Sequence, residues 1–182
     1  MTAKLKAVLF VSVLLIQSVA FAQTSLRRAP VKLRGRGRSI VLTSGRMRRS
    51  LDLREQVLAA RLEEVKLLFE SREGSFTYLL VDACGPSKAV PDARRCGAAD
   101  ECGLLWIKLD SALKMRDIRA ASYESCWTPS SSTDGYKISG RNLSLEYSDF
   151  SRSKRYKLSY NSDEPERGFS LEEFALVDTA AP

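Results

Sequence analysis

Histidine is absent from the 182 residues, and this removes a large part of the chemistry open to the chain. Ser-His-Asp and Cys-His nucleophile pairs, histidine general bases and His-ligated zinc are all ruled out. Acid–base work would fall to carboxylates, which cluster as Asp100-Glu101, Asp163-Glu164-Pro165-Glu166 and Glu172-Glu173. Two of them at the right separation would suit glycoside cleavage, but nothing in the sequence fixes a separation. The Asp163 to Glu166 cluster lacks the alternating oxygen ligands of a calcium loop and is expected as a solvated turn. Cys84, Cys96, Cys102 and Cys126 are separated by 11, 5 and 23 residues, with no C-x2-C knuckle for zinc. An even set of this kind points to two disulfides. No metal and no cofactor is indicated.

Ser111-Ala112-Leu113-Lys114 matches the S-x-x-K pattern in which a lysine activates a serine. It falls in an expected turn, without the accompanying S-D-N or K-T-G, and reads as chance. Asn142-Leu143-Ser144 is a glycosylation sequon, relevant in a eukaryotic secretory pathway. Trp106, Trp127, Tyr123, Tyr136, Tyr147, Tyr156 and Tyr160 fall in strand-like stretches. Packing accounts for most of them; several on one exposed face with Lys154, Arg155 and Lys157 would make a binding surface for a glycan or protein.

The chain opens with Lys4 and Lys6, an apolar run from Ala7, and Ala20-Phe21-Ala22, the layout of a signal peptide. Cleavage before Gln23 is expected. A retained membrane anchor is the rival, favoured by the basic flank that follows, but Gln17 and Ser18 interrupt a run shorter than the roughly 20 residues a spanning helix needs. Export explains the cysteines, since disulfides persist outside the reducing cytosol, and places the protein in a secreted, periplasmic or other extracytoplasmic setting.

Charge is unevenly spread. Between Gln23 and Leu51 stand nine basic residues (Arg27, Arg28, Lys32, Arg34, Arg36, Arg38, Arg46, Arg48 and Arg49) and no acidic one. From Asp52 onward there are 18 basic and 22 acidic residues. With Arg34-Gly35-Arg36-Gly37-Arg38 at its centre, residues 23–49 read as an extended, poorly ordered basic arm. Such an arm suits a polyanion through Arg34, Arg36, Arg38, Arg46, Arg48 and Arg49. It carries no aromatic to stack on bases, which disfavours nucleic acid. A solvated linker is the plain alternative, and Arg46-Met47-Arg48-Arg49 also fits a dibasic processing site that would make the arm a pro-segment.

Residues 50–178 are expected to form one disulfide-braced domain, with 179–182 as a tail. Ser50 would cap a helix over Leu51 to Val65. Val65 to Phe69 reads better as a strand turning at Arg72-Glu73-Gly74 to meet Phe76 to Val81. Short β-type runs follow: Phe76 to Asp82, Gly103 to Asp110, Asp117 to Trp127, Tyr136 to Ser139, Leu143 to Ser148, Tyr156 to Tyr160 and Gly168 to Leu176. Alternation in Leu143-Ser-Leu145-Glu-Tyr147 and Tyr156-Lys-Leu158-Ser-Tyr160 marks half-buried strands. Cys84 to Cys102 reads as a stapled loop, with Cys126 brought opposite Cys96 or Cys102 and Cys84 taking the other.

The fold class is therefore mainly β (α+β): an antiparallel meander sheet, sandwich or partly closed barrel with one N-terminal helix and two disulfides. The functional expectation is an exported, non-enzymatic binding protein, an envelope-associated accessory or an inhibitor, whose partner is a protein, a glycan or an anionic envelope component. Membrane contact would be transient, through the signal peptide. A carboxylate-dependent hydrolase of polysaccharide or cell-wall material and a polyanion binder acting through the arm are the alternatives.

Overall fold

The runs Thr77–Ala83 and Leu104–Ile107 are apolar at nearly every position, and a strand of that composition is expected to be covered on both faces. In the computed structural model, which describes residues 29–88 and 99–175, they lie in β5 (Phe76–Pro86) and β6 (Asp100–Leu109). These are the inner strands of an antiparallel four-stranded sheet completed by β4 (Glu64–Glu73) and β7 (Met115–Glu124), in the order β4-β5-β6-β7. Leu79, Val81, Ala83, Leu105, Ile107 and Leu109 face one core; Tyr78, Leu80, Leu104 and Trp106 face another.

The first core is closed by β1 (Lys32–Arg36), β2 (Ser39–Ser44) and β3 (Met47–Asp52), an antiparallel sheet that contributes Ile40, Leu42 and Leu51. The second is closed by a C-terminal sheet of β8 (Ser130–Ser131), β9 (Tyr136–Ser139), β10 (Asn142–Asp149), β11 (Lys154–Asn161) and β12 (Ser170–Ala175). Leu143, Leu145, Tyr147, Tyr156, Leu158 and Tyr160 point inward from it. The described residues thus form three layers of antiparallel sheet, with no closed barrel among them. Between β11 and β12 the single turn Pro165–Arg167 crosses the central sheet. There Trp106 Nε1 donates to the Pro165 carbonyl at 2.8 Å, Lys108 pairs with Glu166 at 2.7 Å, and the Arg119 guanidinium lies 4.8 Å over the Trp106 ring.

Every strand-like run from Phe76 onward is a strand or contains one, and Val65 to Phe69 lies in β4, paired with β5 as the hairpin reading expects. Two expectations are corrected. The helix over Leu51 to Val65 is absent: β3 runs to Asp52, and the following segment buries Leu53, Val57, Ala59 and Leu62. Its backbone is held by neighbouring strands, with Leu53 N–H donating to Arg38, Leu62 N–H to Gly37, Ala60 N–H to Pro86 and Glu63 N–H to Cys84. Those bonds outweigh the helical spacing of Leu58, Leu62 and Val65, because tertiary partners override local propensity. The extended arm is the second correction. Lys32 to Arg49 are in a folded sheet whose turns begin at Gly37 and Gly45, with φ of +59° and +57°. Glycine at the first position of a two-residue hairpin turn is a strand-pairing signal, so the glycines that suggested looseness make the two reversals.

The proposed signal segment, Cys96 and the tail lie outside the described residues. Cys84 and Cys102 are directly opposite in the β5–β6 register and are disulfide-bonded, with Cα atoms 4.2 Å apart. The alternative pairing of Cys102 with Cys126 is thereby excluded. Among the described residues no cysteine is free, and no helix is long and apolar enough to cross a membrane.

Candidate functional site: a cationic sheet face

A strand places alternate side chains on opposite faces, and Lys32-Leu33-Arg34-Gly35-Arg36 alternates basic with apolar or small residues. Leu33 packs against the first core, so Lys32, Arg34 and Arg36 project from the outer face, where all three are exposed. The register sets Lys32 beside Thr43 and Thr43 beside Arg48; Arg34, Val41 and Ser50 form the next row, and Arg36, Ser39 and Asp52 the third. Side chains on one face recur roughly every 7 Å along a strand, and β1 and β3 are roughly 10 Å apart. Lys32, Arg34, Arg36 and Arg48 therefore stand as a two-dimensional array over a floor of short side chains, without an aromatic residue.

The single acidic member of this face is neutralised from outside the sheet. Asp52 pairs with Arg54 at 2.6 Å and also accepts the Arg54 N–H at 3.0 Å. Those hydrogen bonds hold its carboxyl below the usual range. The four cations have no such partner: every ion pair among the described residues lies outside Lys32–Arg49. The opposite layer differs. On the C-terminal sheet Arg155 pairs with Glu146, Lys154 with Glu173 and Arg141 with Asp163, and Lys157 sits in register between Glu146 and Glu172. Charge is balanced there and unbalanced on β1–β3.

The basic residues named from the sequence separate into three groups. Arg34, Arg36 and Arg48 share the outer face, joined by Lys32, which the period-of-two pattern alone would have identified. Arg38 and Arg46 occupy the two hairpin turns, and Arg38 Nη2 is held by the Arg54 carbonyl at 2.8 Å. Arg49 lies in register with Leu42, on the other face, and its Nε reaches the Ala112 carbonyl at 3.4 Å.

The remaining candidates are engaged elsewhere. Glu101, 1% exposed, accepts hydrogen bonds from the Ser87 and Ser125 hydroxyls and from Cys126 N–H at 3.1 Å. Asp163, Glu164, Glu166 and Glu173 are ion-paired. Ser111 to Lys114 form the β6–β7 turn, where Asp110 accepts Ala112 N–H and Lys114 N–H, each at 2.9 Å. Tyr147, Tyr156 and Tyr160 point into the second core while Arg155 and Lys157 point outward, so the imagined aromatic-basic face is not formed. Two buried acids, Asp82 and Asp149, were not singled out from the sequence, and Asp149 pairs with Arg152. Asp82 lies between the central and C-terminal sheets, where Tyr123 donates to it at 3.0 Å. Burial pushes its carboxyl up, and burial together with the neighbouring Asp82 charge pushes the Tyr123 hydroxyl up.

These features define a three-layer, disulfide-bonded antiparallel β protein with one strongly basic outer face. The chain matches no protein-family model, no curated protein and no solved structure.

Proposed function

We propose that this chain is an exported, non-enzymatic binding protein whose working surface is the outer face of β1–β3, and whose partner is a polyanion. The observation that carries the reading is the array of Lys32, Arg34, Arg36 and Arg48, exposed and without ion pairs among the described residues. Arginine's planar fork takes phosphate or carboxylate oxygens in pairs. An array held on a sheet binds with less ordering cost than a flexible arm carrying the same charges. Removal of residues 1–22 and a second bridge between Cys96 and Cys126 complete this reading of an extracytoplasmic protein.

The test is retention on immobilised heparin, followed by a titration with soluble heparin across a salt series. Four engaged cations give a slope of log K against log salt of about −3, at roughly 0.7–0.9 per neutralised charge. R34Q/R36Q/R48Q should flatten the slope to about −1. A salt-independent affinity, or a triple variant with the parent's slope, would discard the proposal.

A further inference from the structure

We infer that the polyanion is a planar one: the phosphate layer of an anionic lipid membrane, against which the outer face of β1–β3 lies flat. This rests on the polyanion reading above and narrows it. The argument is one of shape. The four cations spread in two directions, three along β1 and one across on β3. A linear polymer threaded along β1 would meet Lys32, Arg34 and Arg36 and leave Arg48 roughly 10 Å to one side. A plane of headgroups meets all four at once.

The floor beneath them supports the same choice. Ser39, Val41, Thr43 and Ser50 are short, so the long basic side chains reach beyond them. Nucleic-acid and sugar sites add aromatic platforms for base or ring stacking, and this face has none. Three of its four cations are arginines, the residue that takes phosphate oxygens two at a time. A basic surface gains about 1 kcal/mol per Lys or Arg placed against an anionic leaflet, and the attraction fades within a Debye length. Peripheral, salt-reversible attachment follows, with no segment entering the hydrocarbon.

The experiment uses the full exported chain with its disulfides intact, pelleted with phosphatidylcholine vesicles that contain or lack phosphatidylglycerol. Binding is expected only with phosphatidylglycerol and should be reversed by salt. R34Q/R36Q/R48Q should lower the partition coefficient about 100-fold, the sum of three such contributions. R141Q/R155Q/R167Q removes the same formal charge from ion-paired positions of the opposite layer and should change it less than about threefold, in line with the small worth of exposed pairs. Both variants must keep the parent's circular dichroism. Equal losses in the two variants would show that net charge, not this face, drives attachment, and would overturn the inference. Heparin binding without vesicle binding would overturn the membrane and leave the polyanion reading intact; failure with both probes would remove both.

Discussion

Glu101 is the group whose removal the structure prices most closely. Its carboxylate, 1% exposed, collects donors from two separate segments: Ser87, beyond the end of β5, and Ser125 with Cys126, just past β7. In Glu101→Ala, loss of the Glu101 bond to the backbone-fixed Cys126 N–H costs about 2 kcal/mol, while the two hydroxyls, free to rotate, carry about 1 kcal/mol each. Relief from holding a buried charge offsets part of this, leaving a net loss of about 3 kcal/mol, a substantial share of the 5–15 kcal/mol typical of a folded domain. Glu101→Gln is the discriminating variant. Its carbonyl can still serve Ser87 and Cys126, but its NH2 then faces Ser125, whose oxygen already accepts Trp127 N–H at 3.1 Å and Thr128 N–H at 3.0 Å. The Ser125 hydroxyl and the new amide NH2 are left without partners in place of three stranded donors, and about 2 kcal/mol is lost. Urea unfolding of the oxidised proteins at neutral pH reads both numbers as midpoint shifts at constant slope. A Glu101→Ala loss under about 1 kcal/mol, or equal losses for Gln and Ala, would refute the assignment of Glu101 as a three-donor acceptor.

Two further outcomes follow from buried positions. A Cβ on Gly85 would stand 1.8 Å from the Arg61 carbonyl oxygen, whereas one on Gly103 would meet its nearest atom at 3.4 Å; Gly85→Ala should cost about 3 kcal/mol and Gly103→Ala less than 1 kcal/mol in the same unfolding assay. Equal costs would contradict the close approach of residues 59–63 to β5. For Asp82, burial raises the folded pKa above the unfolded one, so its contribution to stability is complete below the unfolded pKa and is lost as pH rises through the folded value. Asp82→Asn should therefore gain on the parent between mildly acidic and neutral pH, and a parent that gains on the variant over that range would reverse the sign.

The strands were legible because their periods were clean. Leu143, Leu145 and Tyr147 and their partners Tyr156, Leu158 and Tyr160 alternate with polar residues, and the structure buries that set. The run from Phe76 to Asp82 was equally visible as a strand, but nothing in it was read as a sign of the cover on both faces that the structure gives β5. What would supply that cover was hidden by composition. In Lys32 to Arg49 the arginines dominate any charge count, while Ile40 and Leu42, which enter the first core, sit on a short strand between two Gly-Arg turns. The helix was misread for a related reason: Leu51, Leu58, Leu62 and Val65 fit a 3.6-residue period, yet the positions buried are Leu51, Leu53, Val57, Ala59 and Leu62. Residues 53–57 make one turn, in which Gln56 N–H and Val57 N–H donate to the Leu53 carbonyl, but Leu53, Ala60, Leu62 and Glu63 take their backbone partners from residues distant in the chain, and no longer helix forms. Asp82 was invisible because its significance depends on Tyr123, 41 residues later.

The array on β1–β3 is not needed to hold the fold. The N-terminal sheet is attached by Ile40, Leu42 and Leu51 in the first core, with Val31 N–H bonded to Glu70 at 2.8 Å. Among the described residues its outer cations make no ion pair that returns stability. Placed on a common face, they repel one another by amounts of order tenths of a kcal/mol per pair, since like charges on neighbouring strands are unfavourable. Threonine, already present at Thr43, would fill the same exposed strand positions without repulsion and with good β propensity. A folded chain that carries on one face four cations unpaired among the described residues, and balances its charges on the other, concentrates its electrostatic strain where an anionic partner would relieve it. The same reasoning gives the direction of linkage: ligands that bind the array should stabilise the folded chain, and R34Q/R36Q/R48Q should be at least as stable as the parent at low salt when no polyanion is present.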